Sequence, residues 1–315
     1  MRISPKLLFE HCYGKYGIAA VNVFTMEQVL GLFSAAQKAG APFIVQITPA
    51  ARNYAHPVML KRMVTAAAEI FPDTCFAIHL DHGDEHHVGQ AIESGDYASV
   101  MIDASHAPYE ENVSRTKNVV DKAKPRGIFV EAELGVLSGV EDHLQVDEKS
   151  RRYTQPLQAE DFVKRTGCDS LAVAVGTSHG AYKFSGTQGL QFDILEEIQN
   201  RLPGFPLVLH GASAVKPEEI SGINAAGGKL GAHAQGVDPA ALKKAIAYGV
   251  CKVNIATDLR LIWTRVYREF FRDHPDRFDP VLPGKDYIRA IETFMLEKFE
   301  LLGSVGQSKS LKIKS

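Results

Sequence analysis

The chain has 315 residues, of which 45% are hydrophobic, with four cysteines and a formal net charge of −2. That supplies a large core, and the near-neutral balance excludes a strongly basic nucleic-acid or membrane-surface binder. The length would allow two domains, but α/β barrels often reach this size as one unit.

Cys12, Cys75, Cys168 and Cys251 are widely spaced and form no C-x-x-C pair. They suit small buried hydrophobes in a reducing cytoplasm better than a disulfide framework or a thiolate metal site. The first ten residues carry no signal-peptide pattern. No apolar run reaches the roughly 18 residues of a membrane span.

Short apolar runs alternate with helix-patterned segments along the chain. The first strand, 18–23, leads to a helix over 26–39 that Thr25 can cap and Gly40 can end. A second strand, 42–47, precedes a helix over 56–71. The third, 75–80, runs into His79, Asp81, His82 and Gly83 before a helix over 85–93. The fourth, 98–102, ends at Asp103 and His106 and is followed by a helix over 109–124. The fifth, 128–132, passes into Glu133 and a glycine-containing polar loop reaching about Pro156. Strands six to eight fall at 170–175, 206–209 and 250–255. The remaining helices fall at 158–166, 188–201, 217–227, 238–247, 258–272 and 285–302. The glycines at 227, 228 and 231 follow no strand at dinucleotide spacing and predict an irregular surface excursion.

Eight strand-like runs alternating with helices predict parallel β/α architecture, and the count predicts a closed (β/α)₈ TIM barrel in one domain over 1–303. Residues 304–315 read as a weakly ordered tail.

A barrel concentrates its chemistry at the C-terminal ends of its strands. Polar residues stand there after every strand: Asn22, Thr48, Asp81 with His82, Asp103, Glu131 with Glu133, Thr177 to His179, His210, and Asn254 with Thr257. His82, His179 and His210 would converge from three strands, and three neutral imidazoles with an open position make a catalytic zinc site. Asp81 beside His82 would put a proton-transfer group next to a ligand. His86, four residues beyond His82 and so on one helix face with it, and His87 compete for ligand status. They read better as exposed or supporting residues because they fall past the strand end. His106 fits a turn or the wall of a site equally.

Phosphate has several candidate cradles. Gly180 precedes Lys183; His210 is followed by Gly211, Ala212 and Ser213; and Asn254, Ile255, Ala256 and Thr257 close the eighth strand. Backbone N–H groups after the seventh and eighth strands commonly bind phosphate in such barrels. The run Gly135-Val-Leu-Ser-Gly-Val-Glu-Asp142 suits a mobile loop that swings a carboxylate inward. A lysine aimed at a carbonyl would be needed for Schiff-base chemistry. Lys252 is the only strand lysine and is expected to face outward beside Asn254.

Six ordered motifs, Ala77–Gly83, Ser99–His106, Val130–Gly135, Val175–Gly180, Leu209–Gly211 and Lys252–Arg260, together resemble the class II, metal-dependent ketose-bisphosphate aldolases along almost the whole chain. The resemblance implies reversible aldol cleavage of fructose 1,6-bisphosphate to dihydroxyacetone phosphate and glyceraldehyde 3-phosphate through a metal-stabilised enediolate. It implies Zn²⁺ on His82, His179 and His210, and Asp81 as the acid/base at the substrate C4 oxygen. Asp103 and Glu133 match positions for a second divalent metal, and Glu141 matches the loop carboxylate that moves the C3 proton. Arg260 matches a cation for the distal phosphate, reached from a neighbouring subunit of a homodimer or homotetramer. A monovalent cation, Na⁺ or K⁺, near the phosphate is also implied.

Three positions depart from the family pattern. Ser138 stands where glycine is common, and Val281 follows Pro280 where an arginine is frequent. Ala256 replaces an aspartate of many fructose-bisphosphate enzymes and matches tagatose-bisphosphate relatives. The downstream pattern around Leu301 to Gly303 ranks fructose bisphosphate first and tagatose 1,6-bisphosphate second. A zinc hydrolase barrel is disfavoured because the paired histidines it would place on the first strand are replaced by Val21, Asn22 and Val23. A non-catalytic sugar-phosphate binder is the remaining alternative.

Overall fold

A computed structural model describes residues 1–136, 139–141, 144–146, 152–177, 189–231 and 236–312. Strands β1 (Ile18–Asn22), β2 (Phe43–Ile47), β3 (Phe76–Gly83), β4 (Ser99–Ile102), β5 (Phe129–Leu134), β8 (Ser170–Val173), β9 (Leu207–Leu209) and β10 (Val250–Ile255) form a closed parallel barrel. They neighbour one another in chain order, and β10 closes on β1. Between β5 and β8 the chain makes a two-stranded antiparallel ribbon, β6 (Gly139–Glu141) and β7 (Leu144–Val146), within the stretch expected as a glycine-containing polar loop.

Helices separate the strands. They are α2 (Met26–Ala39), α3 (Pro49–Ala55), α4 (Pro57–Ile70), α5 (Glu85–Ser94), α6 (Tyr109–Ala123), α7 (Pro156–Thr166), α8 (Phe192–Arg201), α9 (Pro217–Ala225), α10 (Pro239–Ala247), α11 (Thr257–Asp273) and α12 (Val281–Leu301). The cues read for α2 hold: Thr25 and Gln28 form a reciprocal capping box, and Gly40 ends the helix in the left-handed region. Helix α3 was not anticipated. Thr48 accepts a hydrogen bond from the Ala51 amide and Pro49 occupies the first turn, so the segment between the second strand and the helix over 56–71 forms a short helix of its own.

Strand alternation sorts the core into two compartments. Outward residues such as Val21, Phe43, Val45, Ile78, Val253 and Ile255 pack under the helices. There Phe33, Phe43 and Phe76 form an aromatic cluster with centroids 5.0–5.8 Å apart. Inward residues near the strand starts, Ile18, Ala20, Ile44 and Ala77, meet Leu8, Phe9 and Cys12 of helix α1 (Pro5–Cys12), which plugs that end. Helices α2 and α12 approach closely at Gly31, where a Cβ would lie 2.8 Å from the Ile291 side chain and 2.9 Å from the Ile288 carbonyl oxygen.

From Ser304 to Lys312 the chain packs back onto the barrel. Gly306 and Ser308 donate backbone hydrogen bonds to Ala39 and Gly40, each at 2.9 Å, and a short helix α13 (Ser308–Lys312) buries Leu311 beside α1. A single apolar anchor in five residues leaves no periodicity to read in advance.

Candidate active site

The polar ends of the strands converge inside the barrel mouth. Asp81 is fully buried; Asn22 donates to its Oδ2 at 2.8 Å and Asn254 to its Oδ1 at 3.3 Å, while Gln46 donates to Asn22 at 2.9 Å. Three neighbouring strands thus fix both oxygens of one carboxylate.

His82 follows Asp81 directly, and in a regular strand the two would face opposite sides. The backbone avoids this by leaving strand geometry: His82 has φ of 48°, and the pairing of β3 with β4 shifts between Leu80 and Gly83. A left-handed backbone costs a β-substituted residue about 1–2 kcal/mol, and such strain concentrates where side chains must be aimed. Both side chains come together as a result, with polar atoms within 4.8 Å of one another and of His210. Gly83 completes the corner, since a Cβ there would lie 2.7 Å from Leu80 and Val88.

Each of two histidines is held by a carboxylate. His82 Nδ1 lies 2.8 Å from Asp103 Oδ2, and Asp103 is steadied by the Ser105 amide and hydroxyl. Burial opposes ionisation of Asp103, but His82 and Ser105 outweigh it and hold its carboxyl well below the usual range. His210 Nε2 lies 3.0 Å from Glu131 Oε1. Burial disfavours the charged His210 ring, yet Glu131 and Glu133 raise its pKa to about 9. An ionised carboxylate only accepts, so His82 Nδ1 and His210 Nε2 carry hydrogens toward Asp103 and Glu131; a metal ion would take His82 Nε2 and His210 Nδ1, the latter after giving up the proton that the paired acids favour.

Those rings are edge to face, 4.7 Å between centroids. Glu133 Oε2 is buried 3.3 Å from His210 Nδ1 in a geometry that makes no hydrogen bond. Asp81, His82 and His210 offer ligand atoms within 4.8 Å of one another, and so do His82, Asp103 and Glu133. Imidazole and carboxylate donors with a buried, unbonded carboxylate oxygen fit a divalent cation. His86 and His87 do not join them: His86 contacts Gln90, and His87 contacts the α5 cap Asp84. His79 is also not a ligand, because it contacts Ser99, and burial followed by the nearby Lys252 push its pKa down to about 3.

Lys252 requires a correction. It faces inward, is among the most deeply buried side chains, and pairs with Glu131 at 2.9 Å. Residues i and i+2 of a strand share a face, so an inward Asn254 already obliged Lys252 to point inward.

The loop after β9 is shaped by a residue the sequence reading did not single out. Asp258, in the first turn of α11, accepts from the Ala214 and Val215 amides at 2.9 and 2.8 Å. It thereby bends Gly211, Ala212 and Ser213 toward the N-terminus of α11, with Val215 at φ of 44°. Ser213 Oγ accepts from the Ala256 amide at 3.5 Å. The signal was present in the motif Lys252–Arg260, but an acid in the first turn of a helix has an ordinary dipole explanation. Phe24, Thr48, Ala51, Tyr54 and Arg260 line a cavity of about 220 Å³, so Arg260 stands near Thr48 of its own chain. His179, Gly180, Lys183, Ser178 and Ser138 lie outside the described residues, as does the Glu141 side chain.

With this geometry in hand, comparison with known proteins is specific. The family model described as class-II fructose-bisphosphate aldolase matches residues 4–307. The fructose-bisphosphate aldolase of Giardia intestinalis is 43% identical over 307 residues, covering 96% of this chain and 92% of that protein. That of Thermus caldophilus is 42% identical over 297 residues, covering 93% and 95%. Among solved structures, the YdjI aldolase from Escherichia coli K12 superposes with a TM-score of 0.77 at 29% identity, over 98% of this chain and 100% of that one. The strand order, the converging side chains and the matched length agree: this chain belongs to the class-II fructose-bisphosphate aldolase family.

Proposed function

We propose that the protein cleaves fructose 1,6-bisphosphate reversibly to dihydroxyacetone phosphate and glyceraldehyde 3-phosphate, with zinc as its metal. The observation that carries the reading is the Asp81–His82 corner, which brings an anchored carboxylate and an imidazole to the same side of the strand, beside His210. His82 and His210 would hold the ion, joined by His179, and Asp103 and Glu133 would serve a second divalent site. Zinc, when bound, supplies a Lewis acid that polarises the ketone and offsets charge left at C3.

The protein's own groups do the rest. Asp81 accepts the C4 hydroxyl proton in cleavage and returns it in condensation, its position fixed by Asn22 and Asn254. Glu141, on the β6–β7 ribbon, moves the proton at C3. Gly180, Lys183, Gly211–Ser213 and Asn254–Thr257 bind the triose phosphate, where a monovalent cation, Na⁺ or K⁺, also sits. Arg260 reaches the distal phosphate of substrate held in a neighbouring subunit, and Asn22 and Thr48 line the substrate site.

Tagatose 1,6-bisphosphate is the second substrate reading. Ala256 offers no carboxylate where the end of β10 meets α11. The relatives bearing the name fructose-bisphosphate aldolase favour the first. Initial rates on both epimers, with and without chelator, test the proposal. Chelation abolishes turnover, zinc restores it, and the fructose epimer is cleaved faster. Turnover insensitive to metal removal would refute the metal assignment, and preference for the tagatose epimer would reverse the substrate order.

Trp263, Phe271, Phe278, Val281 and Leu282 are exposed along α11 and the start of α12, and Trp263 stacks on Tyr267 at 4.9 Å. Exposed large apolar side chains concentrated in one stretch of the chain mark an interaction surface, which supports a homodimer or homotetramer built through it. Sedimentation should give a multimer for the wild type and a smaller species for Trp263→Arg; unchanged mass for the variant would exclude this face. No helix among the described residues is long and apolar enough to cross a membrane. The four buried, unbridged cysteines support a reducing cytoplasm.

A further inference from the structure

Below the candidate metal ligands lies a layer of charge that the reaction as derived does not use. Lys252 and Glu131 are each 1% exposed and face one another across the barrel interior. The Lys252 ammonium lies 2.9 Å from both Glu131 oxygens and 3.5 Å from His79 Nε2. His79 Nδ1 is 2.8 Å from Ser99 Oγ, which leaves Nε2 to accept from Lys252. On the other side, Glu131 Oε1 is shared with His210 Nε2 at 3.0 Å. A continuous chain of contacts therefore runs Ser99–His79–Lys252–Glu131–His210 through strands β4, β3, β10 and β5 to the end of β9.

This is an expensive way to fill a barrel. Interior layers of such barrels are ordinarily branched apolar residues, and a buried ion pair is often no more stable than apolar side chains of the same volume. His210 stands one residue past β9, so strand pairing fixes its backbone only up to Leu209. Its ring is placed by side chains instead, and Glu131 grips the Nε2 edge. A ligand's second nitrogen is commonly held by a carboxylate in this way, which fixes the tautomer and the ring plane.

We propose that Lys252 and Glu131 are a positioning pair for the metal: Lys252 fixes the Glu131 carboxylate, and Glu131 orients the His210 ring so that Nδ1 is the donor atom. The proposal rests on the reading of His210 as a ligand. Lys252 is then a positioning residue two contacts from the ion, and it has no role as a Schiff-base nucleophile.

Zinc affinity, measured on purified protein by chelator competition, reads this out independently of turnover. Lys252→Met keeps the length of the side chain and removes its charge, and it should weaken zinc binding about 10–100-fold. The d–d spectrum of the cobalt-loaded protein should change with it as the ring turns. Because Lys252 acts only through Glu131, Glu131→Gln and the double variant should bind zinc equally weakly. Wild-type zinc affinity in folded Lys252→Met overturns the proposal, and so do effects of the two substitutions that simply add. If Lys252→Met fails to fold, the double variant leaves no lone buried charge and carries the test; wild-type zinc affinity there overturns the proposal equally. A wild-type protein that itself binds no zinc would sink the metal reading, whereas tight wild-type binding with an unaffected Lys252→Met sinks this inference alone.

Discussion

His82→Ala abolishes tight zinc binding and lowers aldol cleavage by about a thousandfold or more, the several kcal/mol that a Lewis acid contributes at roughly 1.4 kcal/mol per factor of ten. The size follows from where His82 stands. It belongs to both candidate ligand groups, with Asp81 and His210 on one side and Asp103 and Glu133 on the other. Its removal breaks each of them, and no neighbouring histidine can substitute because His86 and His87 are tied to helix α5. The backbone gives a control. At φ of 48° alanine retains the strain that histidine bore, whereas glycine is relieved of it. His82→Gly should therefore lose zinc to the same extent while being more stable than His82→Ala by about 1 kcal/mol. Metal analysis and thermal unfolding of the two proteins check this. Stoichiometric zinc in either variant at wild-type affinity would remove His82 from the ligand set.

That strained corner was legible because Asp81 and His82 are adjacent. Two neighbouring side chains cannot both enter a barrel from a regular strand, so their joint use requires the departure seen between Leu80 and Gly83. The eight barrel strands were legible for a similar reason: each is an apolar run ended by polar residues, and burial on both faces leaves few other places for such runs. The outward orientation expected for Lys252 runs against the alternation that an inward Asn254 imposes two residues on. Helix α3, ribbon β6–β7 and helix α13 were missed for another reason. Each is too short for a hydrophobic period: α3 is held by its cap, the ribbon by its own local cross-strand pairing, and α13 by contacts distant in sequence. Asp258 shows the limit of motif reading. Its place in a first helical turn is visible, but its grip on residues 214 and 215 is a tertiary fact.

The Lys252–Glu131 layer and the Asp81 cluster also divide the labour differently than sequence spacing suggests. Asn22, Gln46 and Asn254 spend their amide hydrogens on one another and on Asp81, so their first task is to orient a carboxylate. Asp103 does the same for His82. Contact with substrate, where it occurs, is made by side chains already held in one rotamer, which is the condition for a reacting group to be placed to within a fraction of an ångström.

Asp81→Asn tests that division most directly. The substitution preserves shape, so zinc should stay bound, while cleavage of fructose 1,6-bisphosphate falls about 10²–10⁴-fold, the range for losing a positioned acid/base. Proton exchange at C3 of dihydroxyacetone phosphate should survive, because that step belongs to Glu141 and does not touch the C4 oxygen. The asparagine amide must turn its oxygen toward one of Asn22 and Asn254 and its nitrogen toward the other, so one donor loses its acceptor and stability drops modestly. Glu141→Gln gives the mirror image, with exchange suppressed and zinc retained. Solvent-tritium exchange and cleavage, measured on the same zinc-loaded preparations, separate the two residues. Parallel collapse of both rates in Asp81→Asn would place Asp81 at C3 or at the metal rather than at C4. An undiminished cleavage rate would remove it from catalysis.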